Sequence, residues 1–424
     1  ELIYSARVLE ALMIGPGGLR SRWAEVKLSH KGGPLGRLIR VWGRLRELPA
    51  QLRVRKRYDL SRMRRIQLPS LIDSPYLRQE RLSYLQDVDG ILCTRYLYLN
   101  ASRLALGRRP RPVQMDLGEA FDGMITTAPI NVATPEGRRI VQTVHDLIPL
   151  EYVPHLDHVV LFARRVAQTM AARKLFVSTS TRRKYERVYP GTTDAGGQVM
   201  VQPPSLLMPE GRMRALLKQD LLRPSRKAKA RHGELQPFRY LLFNSSVEPR
   251  KNLLFVIKAY RLSGLAEQGV RLCVTGQLQK DTYSKAVAEQ ADNSVLLTGY
   301  IDESTKANLF LHAMAVLSPS LVEGFGIPVL DGACVGAPVI ASPSESHAEI
   351  KNLQDFDKLV WLCETTDPMA WAIAMKDLAQ AELTRIRDVD TERKRRLERY
   401  DKTSTLVFEN FRQAVCQEVL RSIE

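Results

Sequence analysis

From residue 239 onward the chain alternates short apolar runs with helix-like stretches at a regular beat, and few folds accommodate that pattern. Residues 239–243, 270–275, 295–298, 315–318 and 338–341 are mostly apolar runs of strand length. Between them, 252–262, 281–290, 303–312 and 327–335 carry the composition of helices. Asp367-Pro368 sets an N-cap before a proline at the first helical position and opens a helix that runs through residue 378. Strands apolar on both faces and joined by helices pack as a parallel sheet covered on both sides. Such doubly wound domains bind ligands beyond the carboxyl ends of their strands.

The N-terminal half is less regular. Strand signals lie at 2–9, 90–93, 140–144 and 174–178, the last running into Thr179-Ser180-Thr181, where a helix starts. Two glycine clusters (Gly15, Gly17, Gly18 and Gly32, Gly33, Gly36) precede the clearer strands. Prolines at 203, 204, 209, 224 and 237, with a basic run between them, mark a boundary. The chain therefore divides into an N-terminal domain (1–205), a linker (206–236), a second domain (237–400) and a terminal helix (401–424) that returns to the N-terminal domain. A hydrophobic share of 44% excludes wholesale disorder. No apolar run reaches the roughly 20 residues of a membrane-spanning helix. Five scattered cysteines read as buried thiols of a reducing, cytoplasmic compartment.

Charge is the other strong signal. The net charge is +17, and between Lys31 and Leu68 twelve Lys or Arg face only Glu47 and Asp59. Interleaved with Leu38, Ile39, Val41, Trp42, Leu45 and Leu52, these cations form a basic amphipathic stretch. One reading is a solvated helical face; the other is a peripheral contact with anionic lipid headgroups at the inner face of a membrane. Nucleic acid is disfavoured, because no recognition motif accompanies the charge.

Two strand-to-helix loops carry chemistry. The first, 244–252, places Arg250 and Lys251 before a helix N-terminus, a pairing that suits a phosphate or diphosphate and is also common as solvent-facing charge. The second, 318–331, runs through Glu323, Gly324, Phe325, Gly326 and Ile327 to Asp331. Glycines there let backbone N–H groups approach a ligand, the following helix aims its positive end at the same place, and two carboxylates stand ready for hydroxyls. The plainer alternative is a tight turn with one exposed acid. Together the loops suit a diphosphate flanked by hydroxylated rings, that is, a nucleotide sugar. His155 and His158 lack the company of a zinc site, and no metal site is expected. Ser178, Ser180 and Thr181 read as a helix cap and not as a nucleophile.

The stretch 240–350 resembles the donor-binding domain of the family 4 retaining glycosyltransferases. The resemblance rests on EPRKN (248–252), VTG (274–276), LTGYIDE (297–303) and SPSLVEGFGIPVLDGACVGAPVIAS (318–342), in order and spacing. It implies the α/β GT-B fold, two Rossmann-like domains facing each other across a cleft. It implies retaining, metal-independent transfer of a hexose from a nucleotide sugar to a glycan or lipid-linked hydroxyl, with no cofactor. Arg250 and Lys251 would hold the diphosphate. Glu323 and the amides of Gly324, Phe325, Gly326 and Ile327 would contact the transferred sugar and its phosphate. Asp331, standing where the family has glutamate, would bind ribose, and Gly276, Tyr300 and Ile301 would line the donor site, the last two near the base. VHDLIPLEY (144–152) resembles the family's N-terminal segment whose histidine, here His145, faces the sugar. HDLIP looks most like mannosyltransferases of bacterial surface polysaccharides, which tilts the donor towards GDP-mannose over UDP-sugars. Two alternatives stay open: a relative that binds a nucleotide sugar without transferring it, and an anionic-surface binding protein acting through the basic stretch.

Overall fold

A computed structural model describes residues 2–5, 54–66, 90–94, 96–135, 140–152, 159–169, 172–190, 197–206, 208 and 235–423. The glycine clusters, most of the basic stretch between residues 31 and 68, most of the linker, and His155 and His158 lie outside the described residues.

Among the described residues, the N-terminal half holds three small sheets. Strand β1 (Leu2–Ser5) pairs in parallel with β4 (Ile91–Thr94), which β3 (Arg64–Ile66) joins in the opposite sense. Strands β2 (Arg57–Asp59), β5 (Val113–Asp116) and β7 (Val132–Ala133) form a parallel trio, backed by helix α1 (Leu97–Leu106). The third sheet matters most for the site. It runs β10-β9-β8-β6, all parallel, from β6 (Met124–Thr126), β8 (Ile140–Val144), β9 (Arg173–Phe176) and β10 (Gly197–Val199). Along this stretch lie the short α2 (Ile148–Glu151), α3 (Val159–Gln168) and α4 (Thr179–Val188). Val144, Phe162, Val166, Phe176 and Tyr185 form the core between this sheet and its helices.

The C-terminal half is a single six-stranded parallel sheet. Its strands are β11 (Tyr240–Asn244), β12 (Arg271–Thr275), β13 (Val295–Gly299), β14 (Ala315–Ser318), β15 (Val339–Ala341) and β16 (Val360–Leu362). They lie in the order β13-β12-β11-β14-β15-β16, which is the 3-2-1-4-5-6 order of a doubly wound nucleotide-binding sheet. The helices are α5 (Leu253–Leu262), α6 (Thr282–Gln290), α7 (Glu303–His312), α8 (Ile327–Val335), α9 (Glu345–Lys351), α10 (Pro368–Arg385) and α11 (Val389–Ile423).

Strand β11 shows why the apolar runs read so clearly. Tyr240 and Leu242 enter one core cluster with Cys273, Val316 and Val339, while Leu241 and Phe243 enter another with Val256, Val274 and Trp371. Alternate side chains point to opposite faces and both faces are covered, so Tyr240 to Phe243 are all apolar. Helix α10 starts on its expected cap, Asp367 accepting from the Met369 amide at 2.8 Å, but runs to Arg385. The residues after 378 are mostly good helix formers with no breaker among them.

Helix α11 ties the halves together. Near its middle Thr403 donates to the Cys334 carbonyl (2.9 Å), and near its end Glu418 accepts from Arg173 on β9 at 2.6 Å. Val407 and Ala414 share a core with Val141 and Leu175 of the N-terminal sheet and with Val329 of α8. Residue 400, placed by sequence at a domain edge, lies inside this helix.

Candidate functional site

Strands β11 and β14 are neighbours at the centre of the sheet, and the chain turns opposite ways from them. Their carboxyl ends are therefore the topological switch point, where such sheets take their ligands. The loops that leave these two strands are the two singled out above.

In the first loop, Pro249–Lys251 form one 3₁₀ turn and Asn252, left-handed at φ 57°, starts α5. The turn brings Arg250 and Lys251 back over the second loop, where the Leu321 amide donates to the Arg250 carbonyl at 2.8 Å. The Lys251 ammonium is bonded to Glu323 Oε1. The Arg250 guanidinium reaches Glu323 Oε2 at 3.5 Å, the Val322 carbonyl at 3.3 Å and Glu248 at 2.9 Å. All three of Arg250, Lys251 and Glu323 are nearly buried, whereas Glu248 is about a third exposed. Arg250 Nε is buried without a hydrogen-bond partner, an orphaned cationic donor within the cluster. Burial pushes the Glu323 carboxyl up, but the Lys251 ammonium and then His347 outweigh it and hold its pKa below the usual glutamate value.

The second loop enters α8 through two glycines whose missing side chains matter. Gly326 adopts φ 107°, which L side chains rarely take, and a Cβ there would lie 2.6 Å from the His347 ring. A Cβ on Gly324 would lie 2.3 Å from the carbonyl oxygen of His145, so the two halves touch at this point. Helix α8 carries Pro328, which has no N–H, in its first turn, and the Val329 amide donates to the Gly326 carbonyl at 2.9 Å. Gly276, at φ 120°, allows the end of β12 to pass the Ser245 carbonyl, and its amide bonds the Gly299 carbonyl at 3.1 Å. Tyr300 (60% exposed) and the half-buried Ile301 follow directly on this rim.

His145 ends β8. Its Nε2 lies 2.6 Å from the Thr127 carbonyl, which can only accept, so Nε2 carries the proton. Its Nδ1 then accepts from the Gln202 amide at 2.9 Å. Both ring nitrogens of His145 are thus engaged by neighbouring groups of the N-terminal half.

Arg250, Lys251, Glu323, Gly324, Phe325, Gly326, Ile327 and His145 thus come together, with Gly276, Tyr300 and Ile301 along the neighbouring strand ends. Asp331 does not join them. It is fully buried, and its two oxygens accept from the Ser205 amide (2.7 Å) and the Ser205 hydroxyl (2.5 Å). Burial pushes its carboxyl up to about 6, against the pull of Ser205 and Lys306. Among the described residues no group of His, Cys, Asp and Glu is arranged to hold a metal ion.

Sequence reasoning missed His347, Ser346 and Glu349, all on α9. His347 is buried beside Glu323, its Nδ1 at 2.9 Å from the Ser342 carbonyl; burial lowers its pKa although the Glu323 carboxylate opposes this. The signal was available, because α9 follows β15, the next strand beyond the switch point.

Residues 225–400 match the model of the family described as glycosyl transferases group 1. The match covers less than half of the chain. The matched residues contain both loops of the site and the whole six-stranded sheet. The chain is also 29% identical over 116 residues to the O-antigen chain mannosyltransferase B of Escherichia coli, a match covering 26% of this chain and 30% of that protein. The chain thus spans less than a third of that relative's length. Similar solved structures include WaaG, a glycosyltransferase involved in lipopolysaccharide biosynthesis (TM-score 0.46, 14% identity, 68% of this chain and 78% of that one). Sucrose-phosphate synthase from Thermosynechococcus elongatus is another (TM-score 0.44, 17% identity, 66% and 68%).

Proposed function

We propose that this protein moves a hexose from a nucleoside diphosphate sugar to a hydroxyl of a glycan or lipid-linked acceptor, retaining the anomeric configuration. The observation that carries the reading is the buried Arg250–Lys251–Glu323 cluster at the switch point, where the glycine loop enters α8. In this reading the donor diphosphate takes over Arg250 from Glu248, the more exposed of its two carboxylate partners. Arg250 and Lys251 then stabilise the charge that develops on the leaving diphosphate, the task a divalent cation performs elsewhere, so no metal is required. The bond from the sugar's anomeric carbon to the diphosphate oxygen breaks and the bond to the acceptor oxygen forms on the same face. The acceptor's proton passes to the departing phosphate oxygen.

GDP-mannose is the favoured donor over UDP-sugars, supported by the mannosyltransferase named among the relatives and by the HDLIP segment. We place the reaction in the cytoplasm, in keeping with the free thiols of Cys273, Cys334, Cys363 and Cys416. The basic stretch from Lys31 would hold the protein against an anionic membrane surface. Among the described residues no helix is long and apolar enough to cross a membrane.

A second reading, a protein that binds a nucleotide sugar without transferring it, is favoured by one observation: Asp331 is committed to Ser205 and unavailable to a ribose. Calorimetry against GDP- and UDP-sugars, with Arg250→Ala and Glu323→Gln, separates the two. Binding of one nucleotide class that is lost in Arg250→Ala, with turnover lost in Glu323→Gln, supports the transferase. Binding without turnover supports the second reading, and no binding across the panel sinks both.

A further inference from the structure

The carbonyl of Gly324, the residue after Glu323, is held by hydroxyls from both halves of the chain. Ser178 Oγ lies 2.7 Å from it and Thr181 Oγ1 3.1 Å, both from the N-terminal half; Ser346 Oγ, from α9, lies at 3.1 Å. A carbonyl oxygen has two lone pairs, and Ser346 Oγ also lies 3.3 Å from the Glu323 carbonyl, so Ser178 and Thr181 are the pair that fixes its direction. All three side chains are almost fully buried.

Capping of α4 does not account for this. As the cap, Ser178 uses only a lone pair, accepting from the Thr181 amide at 3.0 Å. Its hydrogen is left over, and the nearest carbonyl acceptor is Gly324, 146 residues away in sequence. The two other leading amides of α4 also depend on the opposite half. Thr179 N–H donates to Glu349 Oε2 at 2.7 Å and Ser180 N–H to Glu349 Oε1 at 2.6 Å. A helix would otherwise leave these amides to water. The N-terminus of α4 is thus completed by a carboxylate of the C-terminal half, and in return it supplies two hydroxyls to the site loop.

A trans peptide unit is planar, with its N–H opposite its C=O. Fixing the Gly324 carbonyl therefore fixes the direction of the Phe325 N–H, one of the amides assigned above to the donor. We infer that Ser178, Thr181 and Glu349 are positioning residues, which set the Gly324–Phe325 peptide in its working orientation only when the two halves are closed on each other. The inference rests on the transferase reading and adds to it: the acceptor-side half would complete the donor site, so that turnover requires both halves in register. A donor amide prepared in advance costs no reorganisation when charge develops on the leaving group.

The test is steady-state turnover of GDP-mannose, UDP-glucose and UDP-N-acetylglucosamine by the full chain and by Ser178→Ala, Thr181→Val, Thr181→Ser and Glu349→Gln. Misorienting one reacting contact costs about 10²-fold. A fall of that size in kcat for Ser178→Ala and Thr181→Val, with KM within a few-fold, is the expected result, and Thr181→Ser should recover most of it. Glu349→Gln, which keeps one acceptor oxygen, should fall less. A rise in KM at unchanged kcat, or a Thr181→Ser no better than Thr181→Val, would overturn the inference while leaving the transferase intact. A wild-type chain that turns over none of the three donors overturns both. Should Ser178→Ala fail to fold, the two Thr181 variants still decide the matter, since they differ by one methyl group and one hydroxyl.

Discussion

Ser205 occupies both oxygens of Asp331, its amide at 2.7 Å and its hydroxyl at 2.5 Å, and so pins the chain leaving the N-terminal half to helix α8. Lys306 closes the arrangement from the side, bonding the Ser205 hydroxyl at 3.2 Å and carbonyl at 3.3 Å while holding Glu303 at 2.6 Å. The Tyr400 hydroxyl of α11 donates to the Leu206 carbonyl at 2.6 Å. The acid that the resemblance assigns to a ribose thus fastens the interdomain crossing.

That commitment makes stability depend on pH. Asp331 is raised to about 6 in the fold, above its ordinary value, because burial disfavours the charged form. The folded state then holds a proton that the unfolded chain has released, and stability falls as pH rises from about 4 to about 6. The linkage amounts to roughly 3 kcal/mol at pH 7. Asp331→Asn keeps an acceptor for the Ser205 amide and removes the buried charge, and Lys306 retains Glu303. Urea titrations from pH 4 to pH 8 should therefore find the variant more stable at neutral pH and equal to wild type near pH 4. A variant less stable at pH 7 would show that the charge itself is required.

The cluster around Glu323 makes a second prediction. Lys251→Met removes the largest of the groups that offset burial and should cost about 3–5 kcal/mol, because a buried carboxylate is left with Arg250 at 3.5 Å and His347 beside it. In wild type the lowered Glu323 supplies stability that is present above the unfolded glutamate value and lost as pH falls through the folded one. Without Lys251, burial prevails and the slope reverses. Glu323→Gln combined with Lys251→Met should recover most of the loss, a coupling that a double-mutant cycle by urea denaturation measures directly.

What the sequence disclosed, and what it withheld, follows from the range of the interactions. The strands of the C-terminal half were legible because Tyr240 to Phe243 are buried on both faces, and the site loops because glycine and proline mark the turns into α8. The partner of Asp331 was not, since Ser205 lies 126 residues away and only folding makes them neighbours. Glu349 was invisible as a cap for the same reason. Helix α11 misled differently. Its buried positions include Arg393, Arg396, Thr403 and Glu418 among Tyr400, Val407 and Ala414, so the face that packs inward looks like a charged, solvated one. The N-terminal strands β2 and β3 are three residues each and carry Arg57, Asp59, Arg64 and Arg65, too short and too polar for any period to show.

Gly324→Ala tests the contact between the halves. The backbone of Gly324 lies outside the left-handed region, so alanine is unstrained within its own loop; its methyl would instead meet the His145 oxygen at 2.3 Å and the Asp146 Cβ at 2.8 Å. Neither is the far end of a flexible side chain. The halves should be held apart, breaking the Ser178 and Glu349 bonds together, and small-angle scattering should report a larger radius of gyration. An unchanged scattering curve would mean that the loop yields before the interface does.

Arg396 organises the junction of α10 and α11. It is fully buried, donates to Glu392 (2.8 Å) and to the carbonyls of Leu311 (3.1 Å) and Ala313 (2.7 Å), and its guanidinium lies 4.8 Å from the centre of the Phe238 ring. Glu392 also receives Arg385 and Arg395, and these cations, opposing the upward push of burial, hold its carboxyl well below the usual range. The stability it supplies is therefore present above the unfolded glutamate value and survives acidification until pH falls through the depressed folded one. Arg396→Met removes one of three cations and strips two buried carbonyls of their donor, which should cost about 3 kcal/mol at pH 7. It also raises the Glu392 carboxyl, so the acid-unfolding midpoint should move to higher pH. Circular dichroism during acid titration reads that shift, and proteolysis should then release α11 before the parallel sheet gives way. A variant that unfolds at the wild-type pH would mean that Arg385 and Arg395 hold Glu392 without help, and that Arg396 serves only the two carbonyls.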